Sequence, residues 1–553
     1  MHNPPSKYTF ATRAPRVTTR QRHFATSHPE CVEDEALFSY TSGRFLYNEQ
    51  TRLAERYVKF DASALRREIS KHVDHGTVTK LVKLGEGGFN RVLLATMEDG
   101  FRVIVKIPYW IAVPKTYATA SEVATLTFLR SKGIPVPEYI IMEYAPGVGA
   151  DTKWFKNTKY QKKELVTGII DAEKTLLNIR FGAIGSIYFK TDLSPELRCP
   201  LYAHGMVDEA GDSETYCIGP IADYMFWYGR RGQLDIDRGP WKSPTNYLRA
   251  IAEKEVKWIE EFGKPTEPGF PHNTVFPGMR SPNEYLRLLK RYSDLVPYLL
   301  PKKEGHILNR PTLRHPDLTL SNIFIDPEPF QVTSIIDWQH TAITPLAQAA
   351  GYPRLFENPD PEHSAELVPP KLPPNYETLQ PADRAQVDEL IRRQSLFYLY
   401  RVFNGGLNKL HLEALRDPLL RQRQQLIDPV NRQWSGDLIT LRGELMRMRD
   451  LWPYLPGRTA DTADTACPID FSEEEIREQA EMQPMWHKLN ALVEHWRDEL
   501  GGISEEGWIP AEEFDAAVER NKALEAEFSD GGSLDELAKI ERGWPFQDHQ
   551  EVY

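Results

Sequence analysis

The chain is poor in cysteine: its four, Cys31, Cys199, Cys217 and Cys467, are scattered and form no Cys-x-x-Cys pair. That argues against a structural zinc site and a disulfide scaffold, and fits free thiols in a reducing compartment. No apolar run approaches the roughly 20 residues that span a bilayer, so no transmembrane segment is expected. Positive charge is not in excess either. With 67 Lys and Arg against 79 Asp and Glu the net charge is −12, which argues against nucleic acid as the main partner while leaving room for a local basic pocket. No internal repeat emerges.

Acids are missing altogether from the first 29 residues, where Lys7, Arg13, Arg16, Arg20 and Arg22 stand among hydroxyls. Arg-rich, hydroxyl-rich and acid-poor is the composition of a mitochondrial presequence. Arg22-His23-Phe24-Ala25 resembles a matrix-protease site cut after Phe24. A disordered basic tail is the alternative, because Pro4, Pro5 and Pro15 weaken an amphipathic helix.

What is present is an ordinary globular composition, 41% hydrophobic and 26% charged, in 553 residues. That is too long for one core and implies two or more packed units. VTKLVKLGEGGFNRVLLATMEDGFRVIVKI (78–107) reads as three strands, Lys80–Leu84, Arg91–Thr96 and Phe101–Ile107. They are joined by the glycine turn 85–90 and a hairpin at Asp99-Gly100. Gly85, Gly87 and Gly88 let backbone N–H groups approach phosphates without side-chain obstruction. Asn90 stands where a kinase-type loop has its last glycine, and tolerates a left-handed turn better than most residues. Lys106, ending the third strand, can reach the α- and β-phosphates and needs a carboxylate to hold it. The helix SEVATLTFLRSKG (121–133), closed by Gly133, offers Glu122; the plain alternative for Glu122 is a solvated first-turn acid.

LRHPDLTLSNIFID (313–326) carries the remaining chemistry. Phosphoryl transfer asks for a carboxylate to orient the acceptor and hard oxygen ligands to gather phosphates and Mg²⁺. Asp317 suits the first task, and Asn322 with Asp337 of SIIDWQH suits the second. His315 reads as a packed, hydrogen-bonded organiser of the loop rather than an acid or base.

The ordered set G-E-G-G-F, VIVK, SEVATLTFL, IIMEYAPG, H-P-D-L-T-L-S-N and IIDW resembles the aminoglycoside phosphotransferase family, relatives of protein kinases, from about Lys80 to about Pro345. With the basic N-terminus, it looks like the branch called altered inheritance of mitochondria proteins. The resemblance implies an α+β, bilobal protein-kinase-like fold with a small β-rich N-lobe and a large helical C-lobe. ATP would lie in the cleft, with Met142, Glu143 and Tyr144 as hinge contacts to adenine. Residues 1–35 would be presequence and disordered segment, 36–76 an N-terminal extension, 77–147 the N-lobe, 148–455 the C-lobe and 456–553 a C-terminal helical extension. No Ala-Pro-Glu stretch follows Asp337, so a protein-kinase activation segment is not visible. The function implied is ATP- and Mg²⁺-dependent phosphotransfer to a small-molecule acceptor in mitochondria; the rival is a nucleotide-binding pseudokinase serving as a scaffold. Neither the acceptor nor the oligomeric state is legible.

Two features depart from the family pattern. IPVPEYIIMEY joins the post-helix segment directly to the hinge, so either the sheet lacks a strand or the coding sequence lacks an exon. The long interval from Ala150 to Leu313 implies an insertion. Its stretch 217–241 sets Trp227, Arg230, Arg231, Asp237 and Arg238 close together, as a ligand-recognising surface or as an internally salt-bridged brace. Asp61 and Ser472 look like helix starts, 360–381 a proline-rich loop, Ala382 to about Leu415 helical, and Leu489, Leu492, Val493, Trp496 and Leu500 the stripe of a helix docked on the C-lobe.

Overall fold

The computed structural model describes residues 34–136, 141–153, 158–357, 367–457, 466–529 and 543–549. The proposed presequence with its cleavage site, Cys31, and most of the first half of the proline-rich loop lie outside those residues.

The fold is α+β and bilobal. In the small lobe, strands Val78–Glu86, Asn90–Met97, Arg102–Pro108 and Ile141–Glu143 form one antiparallel sheet in chain order. Alternation drives the first pairing: Arg91, Leu93, Ala95 and Met97 are buried on one face of their strand while intervening residues are only half-buried. The buried set meets Val103, Val105, Leu81 and Ile69 in a core of the lobe's own. Helix Ala62–His72 covers that core, and Asp61 caps it by accepting from the Ala64 N–H at 2.8 Å.

The hinge strand pairs directly with the lysine strand, Ile104 opposite Met142. Among the described residues, therefore, no strand separates the two, the outcome the abbreviated IPVPEYIIMEY stretch allowed. Helix Lys115–Ser131 begins six residues earlier than its apolar pattern suggested. Glu122 thus sits two turns inside the helix and is buried, not in a solvated first turn.

The large lobe has two helical cores. One gathers Trp258, Tyr292, Leu426 and Leu445 from four helices between 244 and 450. The other joins helix Lys159–Asn178 and helix Pro381–Leu407 to the antiparallel hairpin Ile323–Ile325 and Val332–Ile335. The helix expected from 382 to 415 is two, Pro381–Leu407 and Lys409–Leu415. They are split at Asn408, whose side chain accepts from the His411 N–H.

The C-terminal helix Glu473–Glu499 opens with the expected capping box, Ser472 with Glu475. It docks on the C-lobe through Trp486 against Phe276, and through Trp496 stacked on Phe270. The N-terminal and C-terminal extensions also meet. Arg44–Phe45 pairs with Trp508–Ile509, and Tyr47 shares a core with Trp496, Trp544 and Phe546.

Candidate active site

The glycine turn links the first two strands of the small lobe. Gly85 lies inside its strand, while Gly87 and Gly88 form the turn. Neither turn glycine has a positive φ, and a Cβ added at Gly88 would meet nothing within 4 Å. Local geometry does not demand glycine at 88; an open approach to the backbone is the use that remains. Asn90 is not left-handed, contrary to the expectation for it. It starts the second strand, and its Nδ2 donates to Gln339 Oε1 at 2.5 Å. At the tip, the Phe89 ring lies 5.0 Å from both Tyr224 and His340, so the turn closes onto the large lobe.

Glu86 anchors the turn from behind. It pairs with the buried Arg91 at 3.0 Å and accepts from the Thr41 and Ser42 N–H groups at 2.7 and 2.9 Å. Nothing in the composition of residues 36–76 indicated that contact.

Lys106 is held at two points. Its Nζ donates to Glu122 Oε1 at 2.6 Å and to Asp337 Oδ1 at 3.1 Å. Burial opposes its charge, but the two carboxylates outweigh that and raise the ammonium above its ordinary value. Reciprocally, the Lys106 charge lowers the Asp337 carboxyl below the usual range. Lys106 and Glu122 are nearly sequestered, whereas the Asp337 side chain is 49% exposed. Its oxygens face both the lysine and open space.

The hairpin explains that position. Ile323 pairs with Ile335, so Asn322 and Asp337 flank the same end of one antiparallel ladder. The Ile336 N–H donates to the Asn322 carbonyl at 2.9 Å, locking the two segments together. Asp337 adopts φ of +67°, a left-handed backbone that aspartate tolerates at a cost and that aims its carboxylate out of the ladder. Trp338, buried beside it, donates Nε1–H to the Ile335 carbonyl at 2.9 Å and holds the turn.

The loop 314–322 is pinned by apolar Leu313, Leu318 and Leu320. His315 Nδ1 accepts from the Asp317 N–H at 3.1 Å, and Nε2 donates to the Ile336 carbonyl at 2.8 Å. Burial pushes this imidazole down to about 4, so it is neutral at pH 7 and ties the loop to the strand before Asp337. Asn322 Nδ2 donates to the Asp317 carbonyl at 2.8 Å, which turns Oδ1 away from that loop. Asp317 itself is 54% exposed, with Arg354 Nη1 at 3.9 Å. Arg354 lies in a short turn, Arg354–Phe356, with no sequence signal to mark it.

At the hinge, the Tyr144 N–H donates to the Arg102 carbonyl, and Met142 pairs with Ile104 and is buried. Antiparallel alternation then turns the backbone N–H and C=O of Glu143 outward. The stretch 217–241 is a brace. Arg231 and Lys254 share the buried Glu255, and Arg238 donates to the carbonyls of Phe226, Leu234 and Arg231 while lying over the Trp227 ring. Among the described residues no group of three or more His, Cys, Asp or Glu is arranged to hold a metal. The oxygen set at the hairpin end is the pair Asn322 and Asp337.

A strand-borne lysine clasped by a helix glutamate and a carboxylate at a hairpin end, with a glycine turn above and a polar loop below, is the kinase-like arrangement that the sequence resemblance implies. No family model matches the chain. A subtelomeric hrmA-associated cluster protein of Aspergillus fumigatus is 30% identical over 519 residues, covering 85% of this chain and 97% of that protein, and the chain belongs to its family. Altered inheritance of mitochondria protein 9, mitochondrial, of Yarrowia lipolytica is 22% identical over 523 residues, covering 87% of this chain and 86% of that protein. The Saccharomyces cerevisiae protein of the same name is 21% identical over 580 residues, with 90% of each chain covered. Both of those proteins are named as mitochondrial. Among solved structures, the streptomycin-ATP-APH(2")-IIa ternary complex is 14% identical at a TM-score of 0.32, covering 70% of this chain and 97% of that one. A superposition that loose adds nothing to the geometry above. No helix among the described residues is long and apolar enough to cross a membrane.

Proposed function

We propose that the chain is an ATP- and Mg²⁺-dependent phosphotransferase acting on a small molecule in mitochondria. One observation carries the reading: Lys106 Nζ bridges Glu122 and Asp337 while Asp317 and Asn322 stand on the adjoining loop. In this reading Lys106, oriented by Glu122, holds the α- and β-phosphates, and Gly85, Gly87 and Gly88 carry the backbone that covers them. The outward peptide groups of Glu143, between Met142 and Tyr144, meet adenine. Asn322 and Asp337 would hold Mg²⁺, which neutralises developing phosphate charge when bound; two protein oxygens suit an ion that keeps water and phosphate in its shell. Asp317, exposed at the loop tip, orients the acceptor hydroxyl and takes its proton. The residues fit a nucleotide on their own geometry: the space above Gly88 is open, and Asp337 is lowered in pKa yet half-exposed. The lobes would divide as residues 77–147 and 148–455, with the extensions 36–76 and 456–553 braced on them.

A nucleotide-binding scaffold without turnover is the second reading. It is favoured by the four-stranded sheet and by a glycine turn already docked through Phe89 and Asn90. Thermal-shift titration with Mg·ATP, followed by ADP release across a metabolite panel, separates the two. The first reading expects a saturable rise in melting temperature and turnover with at least one alcohol. Asp317→Asn should keep the nucleotide-dependent shift and lose turnover by a factor on the order of 100 or more. Turnover at the unmodified rate in that variant would refute the role of Asp317.

A further inference from the structure

A cavity of about 1280 Å³ opens below the polar loop and reaches Asp317 and His315. Its walls carry an unusual share of arginine. Arg354 comes from the short turn Arg354–Phe356, Arg392 and Arg393 from helix Pro381–Leu407, and Arg421 from helix Leu420–Val430. Arg314 lines it as well.

Acids line the same space, but most are engaged elsewhere. Glu173 is buried and holds both Arg314 and the Tyr400 hydroxyl. Asp417 holds the buried Arg423. Asp223 caps the turn at Tyr224 by accepting from the Met225 N–H, and burial raises its proton affinity. Glu357, also raised by burial, is among the described lining residues the one acid besides Asp317 that is exposed. Against these two, Arg354 keeps 47% of its side chain exposed, and Arg393, whose Nε donates to Glu389 at 2.7 Å and whose two terminal nitrogens extend beyond that pair, keeps 36%. Leu355, Leu396 and Phe397 supply apolar wall between the guanidiniums. Guanidinium groups separated by apolar wall select carboxylate or phosphate over ammonium.

We propose that this cavity receives the phosphoryl acceptor, and that the acceptor is an anionic alcohol whose carboxylate or phosphate is gripped by Arg354 and Arg393 while its hydroxyl meets Asp317. The proposal rests on the phosphotransferase reading. In the transfer, the hydroxyl oxygen forms a bond to the γ-phosphorus. The bond from that phosphorus to the β–γ bridging oxygen breaks, ADP leaves, and the hydroxyl proton passes to Asp317. Arg354 has a second effect. At 3.9 Å from Asp317 it orients that carboxylate until the acceptor's own anion engages the guanidinium.

The test uses the full chain with Mg·ATP and measures ADP release. Glycerate and malate probe the carboxylate source, glycerol 3-phosphate and glucose 6-phosphate the phosphate source, and glycerol, choline and kanamycin serve as neutral and cationic controls. At least one anionic alcohol should raise ADP release tenfold or more over the rate without acceptor, with choline and kanamycin inert. Arg393→Gln should raise KM for that acceptor about tenfold, leave KM for ATP and the melting temperature unchanged, and be rescued by Arg393→Lys. Stimulation by choline or kanamycin, or by none of the anions while Mg·ATP still stabilises the protein, overturns the proposal. A second arm needs no nucleotide, so it survives failure of the phosphotransferase reading. Fluorescence titration with 8-anilinonaphthalene-1-sulfonate should bind at least fivefold more weakly to the Arg354→Gln, Arg393→Gln double variant; equal binding contradicts an anion site.

Discussion

Two kinds of buried polar residue hold this molecule, and they respond differently to pH. Lys106 stays charged because two carboxylates face it; His315, His340 and His411 stay neutral because burial outweighs every nearby acid, and each is pushed down to about 4. His411 lies far along the chain from the polar loop. Its Nδ1 donates to Asn404 Oδ1 at 3.0 Å, and its Nε2 accepts from the Gly351 N–H. Its folded pKa lies below the ordinary 6.5, so the unfolded chain takes up a proton first as pH falls. The stability tied to it is complete above 6.5 and is lost as pH drops toward 4, at up to roughly 1.4 kcal/mol per pH unit. Urea denaturation at pH 7, 6 and 5 should show at least that slope, to which His315 and His340 add, and His411→Gln should reduce it by one histidine's share; an unchanged slope would mean that the imidazole is charged in the fold. At this scale the sequence was informative about residue type and spacing. Glu122, Asp317, Asn322 and Asp337 could be picked out by their order, whereas Arg354 could not, because its approach to Asp317 depends on where helix Pro381–Leu407 packs.

Elements set where those residues point. The three strands of the small lobe were readable from alternation and from Asp99-Gly100; the first two are longer than their most regular stretches because edge residues add ladder pairs beyond the core, and the third is shifted by one residue. The helix bearing Glu122 was misplaced at its start. Lys115 to Ala120 has weak periodicity, and Pro114 at the cap was not recognised as the start signal. Asn90 was misread because strand pairing, with Asn90 opposite Pro108, overrode its turn propensity. Gly88 offers the sharpest test of the glycine turn. Its φ is not positive and its Cβ position is open, so Gly88→Val should leave the melting temperature of the nucleotide-free protein within about 1 °C. The same change should weaken Mg·ATP binding by about tenfold or more, read by thermal-shift titration, since side-chain bulk then stands between backbone and phosphate. Equal affinity would remove the turn from the binding site.

Among the described residues, the N-terminal and C-terminal extensions tie the two lobes together. The strand Arg44–Phe45 pairs with Trp508–Ile509, Arg56 reaches Glu506, and Thr41 and Ser42 grip Glu86 behind the glycine turn. A continuous path of contacts thus runs from the C-terminal helices to the small lobe. The helical stripe ending in Trp496 was legible, but its joint core with Tyr47 was not, since pairing across more than 400 residues leaves no local trace. Trp496→Ala should cost about 3–5 kcal/mol by emptying that core, and limited proteolysis should then cleave first within the C-terminal segment. Cleavage unchanged from the unmodified protein would show that the segment does not depend on this anchor. The central claim is that Lys106, Asn322 and Asp337 converge on one metal-bound triphosphate. Calorimetric titration of the full chain with ATP, in the presence and absence of Mg²⁺, tests it most directly. One site per chain, strengthened by Mg²⁺ and insensitive to Mg²⁺ in Asp337→Ala, is the result expected; no binding, or the same Mg²⁺ dependence in the variant, would contradict it.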